Sequence, residues 1–166
     1  MKPLTERQIR GSFINLSKGE SQRLSMPRDF DERPWDDLDF LGWREPGALD
    51  RAYLVAERDG GLVGVALRVA GSGTSRGFTA TGICSLCQTA RTGGDVALMT
   101  ARRTGEAGRQ GNSVGQHMCV DLACSLFLRG AKVAATDPDY YETLTLEDKI
   151  ERMNASIDAF LARVRK

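Results

Sequence analysis

The spacing of four cysteines, C-x2-C-x31-C-x4-C, constrains this chain of 166 residues more than any other feature. Cys84 and Cys87 lie in "GICSLCQTA", and Cys119 and Cys124 in "HMCVDLACS". The first pair has the spacing of a knuckle, a tight turn that aims two thiolates at one ion. A redox C-x-x-C normally follows a strand and opens a helix. Here the flanks are a glycine-rich link and another turn. The second pair is informative by its geometry. On one continuous helix, residues five apart point roughly 140° from each other and cannot share an ion. If Cys119 ends a strand and Cys124 lies in the first turn of the next helix, the two converge. The helix N-terminus also favours a thiolate there.

Knuckle, hairpin, then helix start is the order of a treble-clef zinc finger, and Cys84, Cys87, Cys119 and Cys124 are the expected zinc ligands. One competitor exists. His117, the only histidine, shares a strand face with Cys119 by alternation. Four thiolates complete a tetrahedral site without it, which leaves His117 as a polar strand residue or a donor to a thiolate. A closed four-ligand site leaves no position for substrate or water, so it is structural rather than catalytic. No apolar stretch is long enough for a signal peptide or a membrane span. The expected location is therefore the cytoplasm, where disulfides are rare.

The rest of the chain reads as α+β, with small antiparallel β-hairpins, the finger and short flanking helices. Three parts are expected: residues 1–50, short helical and irregular; 51–135, a hairpin plus the finger; and 136–166, a C-terminal amphipathic helix. Near the start, Thr5 and Gln8 form a capping-box pattern, with Leu4 and Ile9 placed as a hydrophobic staple. Ile9, Phe13 and Leu16 then recur on one face of a short helix, which "SKGE" breaks before a second helical piece that ends ahead of Pro27. Residues 27–50 read as irregular, because three prolines and many aspartates disfavour a long element. Trp35, Phe40 and Trp43 are expected to pin that loop to the core.

"AYLVAERDGGLVGVALRVAG" is a hairpin around "RDGG". "GSGTSRGF" reads as a link and lacks the last glycine of a dinucleotide fingerprint. "DVALMTARR" and "SVGQHMC" read as strands joined by a Gly- and Arg-rich turn, "TGEAGRQGN". "VDLACSLFLRG" reads as a helix stopped by Gly130. Over the last helix, Thr145 is the N-cap and Ile150, Met153, Ile157, Phe160, Leu161 and Val164 form an apolar stripe that packs on its own domain.

Net charge is +1, which argues against wholesale coating of nucleic acid but allows a local patch. Residues 84–135 carry six basic and three acidic side chains, so the finger is the basic segment. No P-loop, nucleophile elbow or acid–base constellation is present, so a non-enzymatic role is expected. "CSLC", the glycine/arginine hairpin and "GNSVGQHMCVDLACS" resemble the C-terminal treble-clef finger of FusB-type elongation factor G-binding proteins, over roughly residues 78–135. The preceding hairpin and loop resemble the shorter actinobacterial-type members. The resemblance implies zinc on the four cysteines, docking on elongation factor G, and promotion of its release from the ribosome, which in some members confers fusidic acid resistance. Arg109, Arg129 and Lys132 are the basic residues expected at that contact, with no small-molecule substrate. Two other readings stay open. One is an RNA-binding zinc module that uses the arginine-rich hairpin, although residues 79–126 hold no aromatic ring to stack a base. The other is a redox or zinc-release sensor.

Overall fold

Two capping boxes shape the N-terminal segment. The computed structural model describes residues 1–70, 82–91, 94–133 and 142–166. Helix α1 (Glu6–Ser12) opens on Thr5, whose hydroxyl accepts from the Gln8 N–H while Gln8 accepts from the Thr5 N–H. The helix stops earlier than the Ile9–Phe13–Leu16 spacing suggests. Phe13 is extended and bridges to Gly64, and Asn15 reaches over to bond Ala66 and Arg102. Ser17 then repeats the same device with Glu20 and starts α2 (Lys18–Arg23). "SKGE" is therefore a helix start rather than a break alone.

Two 3-10 turns, Phe30–Glu32 and Trp35–Asp37, occupy the proline- and aspartate-rich stretch. It does not stay irregular to its end. Phe40–Glu45 is strand β1, and β2 (Ala48–Arg58) follows almost at once. With β3 (Gly61–Val69), β6 (Val96–Arg102) and β7 (Ser113–Cys119), these strands form one antiparallel sheet in the order β1-β2-β3-β6-β7. The β2/β3 turn places Asp59 and Gly60 at positive φ, as the Asp-Gly pair requires. A separate two-stranded ladder, β4 (Gly82–Ile83) with β5 (Ala90–Arg91), carries the knuckle. The "GSGTSRGF" link lies outside the described residues.

Both faces of the sheet are covered, which explains why its central strands are apolar without alternation. Along β2, Ala52, Leu54 and Ala56 face one core and Tyr53 and Val55 the other. β1 divides the same way, Phe40 to the first and Leu41 and Trp43 to the second. The second core is closed by Ile9, Leu24 and Leu38 from the N-terminal segment. Trp43 is fully enclosed there, donates from Nε1 to the Ser25 carbonyl at 2.9 Å and lies against Tyr53. Trp35 is only partly buried and packs edge-on to Phe30. Gly64 lets α1 approach, because a Cβ there would meet the Ser12 hydroxyl at 2.4 Å.

The first core lies between the sheet and α5 (Leu146–Arg165), which Thr145 and Asp148 cap reciprocally. Met153, Ile157, Phe160, Leu161 and Val164 are all buried in it, so the apolar stripe packs on its own chain. The C-terminal end of α5 is tied to the sheet where Thr104 donates to the Val164 carbonyl at 2.9 Å. The Gly- and Arg-rich connection between β6 and β7 contains a short helix, α3 (Gly105–Arg109), rather than only a turn.

Candidate metal centre

The knuckle begins where β4 ends. Cys84 accepts from the Gln88 N–H at 2.8 Å and donates to the Thr89 carbonyl at 3.2 Å, and Gln88 takes a positive φ to complete the turn. Ser85 donates to the His117 carbonyl at 2.8 Å, which fastens the knuckle to β7. At the end of β7 the chain reverses. Leu122 adopts φ +54 and donates to the Cys119 carbonyl at 3.0 Å, and the Asp121 carboxylate accepts from the Ala123 N–H. Cys124 is then the first residue of α4 (Cys124–Leu128). The second pair is thus split between a strand end and a helix start, and Leu122 lies outside the helix.

This turn brings the four sulfurs together. Cys84, Cys87, Cys119 and Cys124 are all free and buried, and their sulfurs lie within 4.8 Å of one another. The Cys84–Cys124 separation is 3.8 Å and the Cys87–Cys119 separation 3.7 Å. A tetrahedron with metal–sulfur bonds of about 2.3 Å has edges of about 3.8 Å, so the cluster has the size of a four-thiolate site. His117 is exposed and is not part of it. Without an ion the four thiols share protons unequally. A hydrogen bond from Cys119 holds Cys87 far below the ordinary thiol value. Cys124, wholly enclosed, is pushed well above it, first by its bond with Cys119 and then by those with Cys84 and Cys87. Binding a cation would release those protons.

A countercharge that the sequence did not reveal stands behind the cluster. Arg91 is buried, lies 3.9 Å over the Phe127 ring and pairs with Asp95 at 3.1 Å and Asp121 at 3.7 Å. Burial opposes its charge, but a hydrogen bond and attraction to Cys119, with Asp95 and Asp121, hold its pKa above the usual arginine value. Its Nε and Nη1 close no hydrogen bond among the described residues, Nη1 standing at 3.7 Å from Asp121. From α5, Arg152 donates to the Cys87 carbonyl at 3.4 Å and pairs with Glu142. The only sequence cue to Arg91 is its i,i+4 spacing from Asp95 in the basic segment.

The finger docks on β1. A Cβ at Gly42 would lie 2.5 Å from the Leu122 Cβ, so only glycine lets the reversal loop sit there. The Asp39 N–H donates to the Ser125 hydroxyl at 3.0 Å, and the Asp39 carboxylate takes both forks of Arg129 at 2.6 and 3.0 Å. Arg129 is thus half-buried and spent on internal structure. Lys132 is more exposed and donates to Asp121 at 2.7 Å, beside Phe127. Arg109 is exposed on α3 and pairs with Glu106 at 2.6 Å. Cys119 is opposite Val96 at one end of the β6/β7 ladder and Ser113 opposite Arg102 at the other. Arg109, on α3, therefore belongs to the Arg102–Ser113 end of the ladder, and Lys132, through Asp121, to the Cys119 end.

The family described as FBP C-terminal treble-clef zinc-finger matches residues 8–164. The chain belongs to this family, the treble-clef finger of FusB-type proteins, and the match takes in the N-terminal helices and α5 as well as the knuckle. No curated protein and no solved structure matches the chain. Among the described residues no helix is long and apolar enough to cross a membrane.

Proposed function

We propose that this chain is a cytoplasmic, non-enzymatic zinc protein that binds elongation factor G and modulates its release from the ribosome, with a link to fusidic acid tolerance. The observation that carries the reading is the family match along nearly the whole chain, joined to a buried four-cysteine cluster of tetrahedral size. Zinc is the ion this donor set selects, since four thiolates in a closed tetrahedral arrangement are its usual structural site. When bound, it supplies cross-linking rather than chemistry. Cys84 and Cys87 fix the knuckle, and Cys119 and Cys124 fix the β7–α4 reversal. Arg91 and Arg152 brace the cluster from behind.

Arg109 and Lys132 are exposed cations of the finger that would meet an acidic partner, one toward each end of the β6/β7 hairpin. Arg129 contributes indirectly, by holding α4 against Asp39. Size-exclusion chromatography with the cognate elongation factor G, with zinc measured in the same fractions, tests the reading. Co-elution of factor, chain and equimolar zinc is the expected result. Separate elution at low salt overturns the partner, and a shift of RNA without affinity for the factor points to the RNA-binding alternative.

A further inference from the structure

A cavity of about 500 Å³ opens on the side of the sheet away from α5, between α2 and strands β2, β3 and β6. That is within the range of small-molecule sites, roughly 300–1,000 Å³. Four guanidinium groups line it, from Arg23, Arg51, Arg68 and Arg102, against two carboxylates, Glu20 and Glu45. Both carboxylates are already engaged. Glu20 caps α2 through Ser17, and Glu45 accepts the Tyr53 hydroxyl at 2.6 Å and faces Arg51 at 3.7 Å.

The arginines are less settled. Arg51 stands directly opposite Arg68 across the β2/β3 ladder, and like charges in that register repel. The Arg68 pair with Asp50 is exposed on both sides and contributes little. Among the described residues neither Arg23 nor Arg102 closes an ion pair, and both act on Glu20 only at longer range. Four cations and two anions leave the cavity with a surplus of two positive charges. Thr100, opposite Arg68 on β6, adds a hydroxyl to the wall.

We propose that this cavity binds a phosphate-bearing small molecule that carries at least two negative charges. Guanidinium forks match phosphate oxygens two at a time, and a diphosphate concentrates several charges within the span of one such cavity. A bound diphosphate would offset the Arg51–Arg68 repulsion that the sheet otherwise sustains. The site is on the opposite side of the sheet from the cysteines and owes nothing to the metal.

Isothermal titration of the intact zinc-loaded chain with inorganic pyrophosphate at low ionic strength is the test, with citrate as an anion of similar charge. Saturable one-to-one binding of pyrophosphate, at least tenfold tighter than citrate, is expected. The double variant Arg68→Gln/Arg102→Gln, both exposed positions, should weaken binding at least tenfold and abolish the rise in melting temperature that pyrophosphate gives. Its zinc content and unliganded melting temperature should not fall. Absence of saturable binding, equal affinity for citrate, or equal affinity in the double variant would each overturn the proposal. No elongation factor is present in this titration, so its failure leaves the partner reading untouched.

Discussion

The two sides of the sheet are built on different principles. On one side, α1, α2 and the turns before β1 close an apolar cluster around Ile9, Leu41, Trp43 and Val55, with each helix started by its own reciprocal cap. Burial and local hydrogen bonds are enough to define it. On the other side, the cysteine cluster is part of the core itself, flanked by Leu86, Leu122 and Met118 and by the face of α5. The β4/β5 ladder has only two residue pairs and α4 only five residues, far too little regular structure to hold its shape alone. A metal ion held by the four cysteines would therefore substitute for secondary structure in the finger and leave the N-terminal side, which holds none of them, largely unaffected.

The most severe way to break that contrast is Cys124→Ala. Structural zinc contributes roughly 10–16 kcal/mol of apparent binding free energy in small fingers, so losing it should be decisive locally. Hydrogen exchange should rise across residues 82–91 and 113–133 while β1 to β3 stay protected, and metal analysis should find no zinc. His117→Ala should keep its zinc. Uniform exchange along both sides of the sheet in the cysteine variant would erase the distinction.

Gly42→Ala probes the seam between the two sides. The added methyl would fall 2.5 Å from the Leu122 Cβ, which forces the reversal loop off β1. A loss of about 1–3 kcal/mol in denaturant unfolding is expected, the cost of overpacking a tight contact. Arg91→Gln removes the countercharge at Cys119 and leaves the ligands in place. Affinity for zinc should fall by about 10–100-fold in a chelator competition, the usual loss when a partner of a ligand is deleted. Folding of the zinc-loaded form should change less than in Gly42→Ala.

The smallest effect on stability belongs to Arg109→Glu and Lys132→Glu, both within about 0.5 kcal/mol of the parent in thermal unfolding. Their effect should appear in the association rate with elongation factor G and shrink as salt rises. Because Arg109 pairs with Glu106 and Lys132 with Asp121, with no partner in common, the two reversals should add. Strong coupling between them would mean that the partner bridges both ends of the hairpin as one rigid surface.

Much of this molecule can be read from local chemistry. The Thr5/Gln8 and Thr145 starts, the Asp59-Gly60 turn, the β6 and β7 segments and the apolar stripe of α5 each carry their signal within a few residues. So does the cysteine geometry, where five-residue spacing is incompatible with one helix. β1 was hidden for a physical reason: "FLGWRE" is buried on both faces, so it lacks alternation, and aspartates and prolines precede it. The start of α2 at Ser17 carried the same capping pattern as Thr5 but was masked by Gly19. Arg129 could not be distinguished from Lys132 in sequence, because its partner, Asp39, is ninety residues away. The separation of Arg109 from the metal end follows from the strand register, which composition does not encode.

The proposed organiser of the finger is one zinc ion held by Cys84, Cys87, Cys119 and Cys124. Native mass spectrometry of the folded chain, purified without chelator and exposed to a thiol-alkylating reagent, tests it most directly. One zinc per chain and four unreactive thiols are expected, with all four becoming reactive once a chelator strips the ion. A folded, metal-free chain whose four thiols react freely would contradict it.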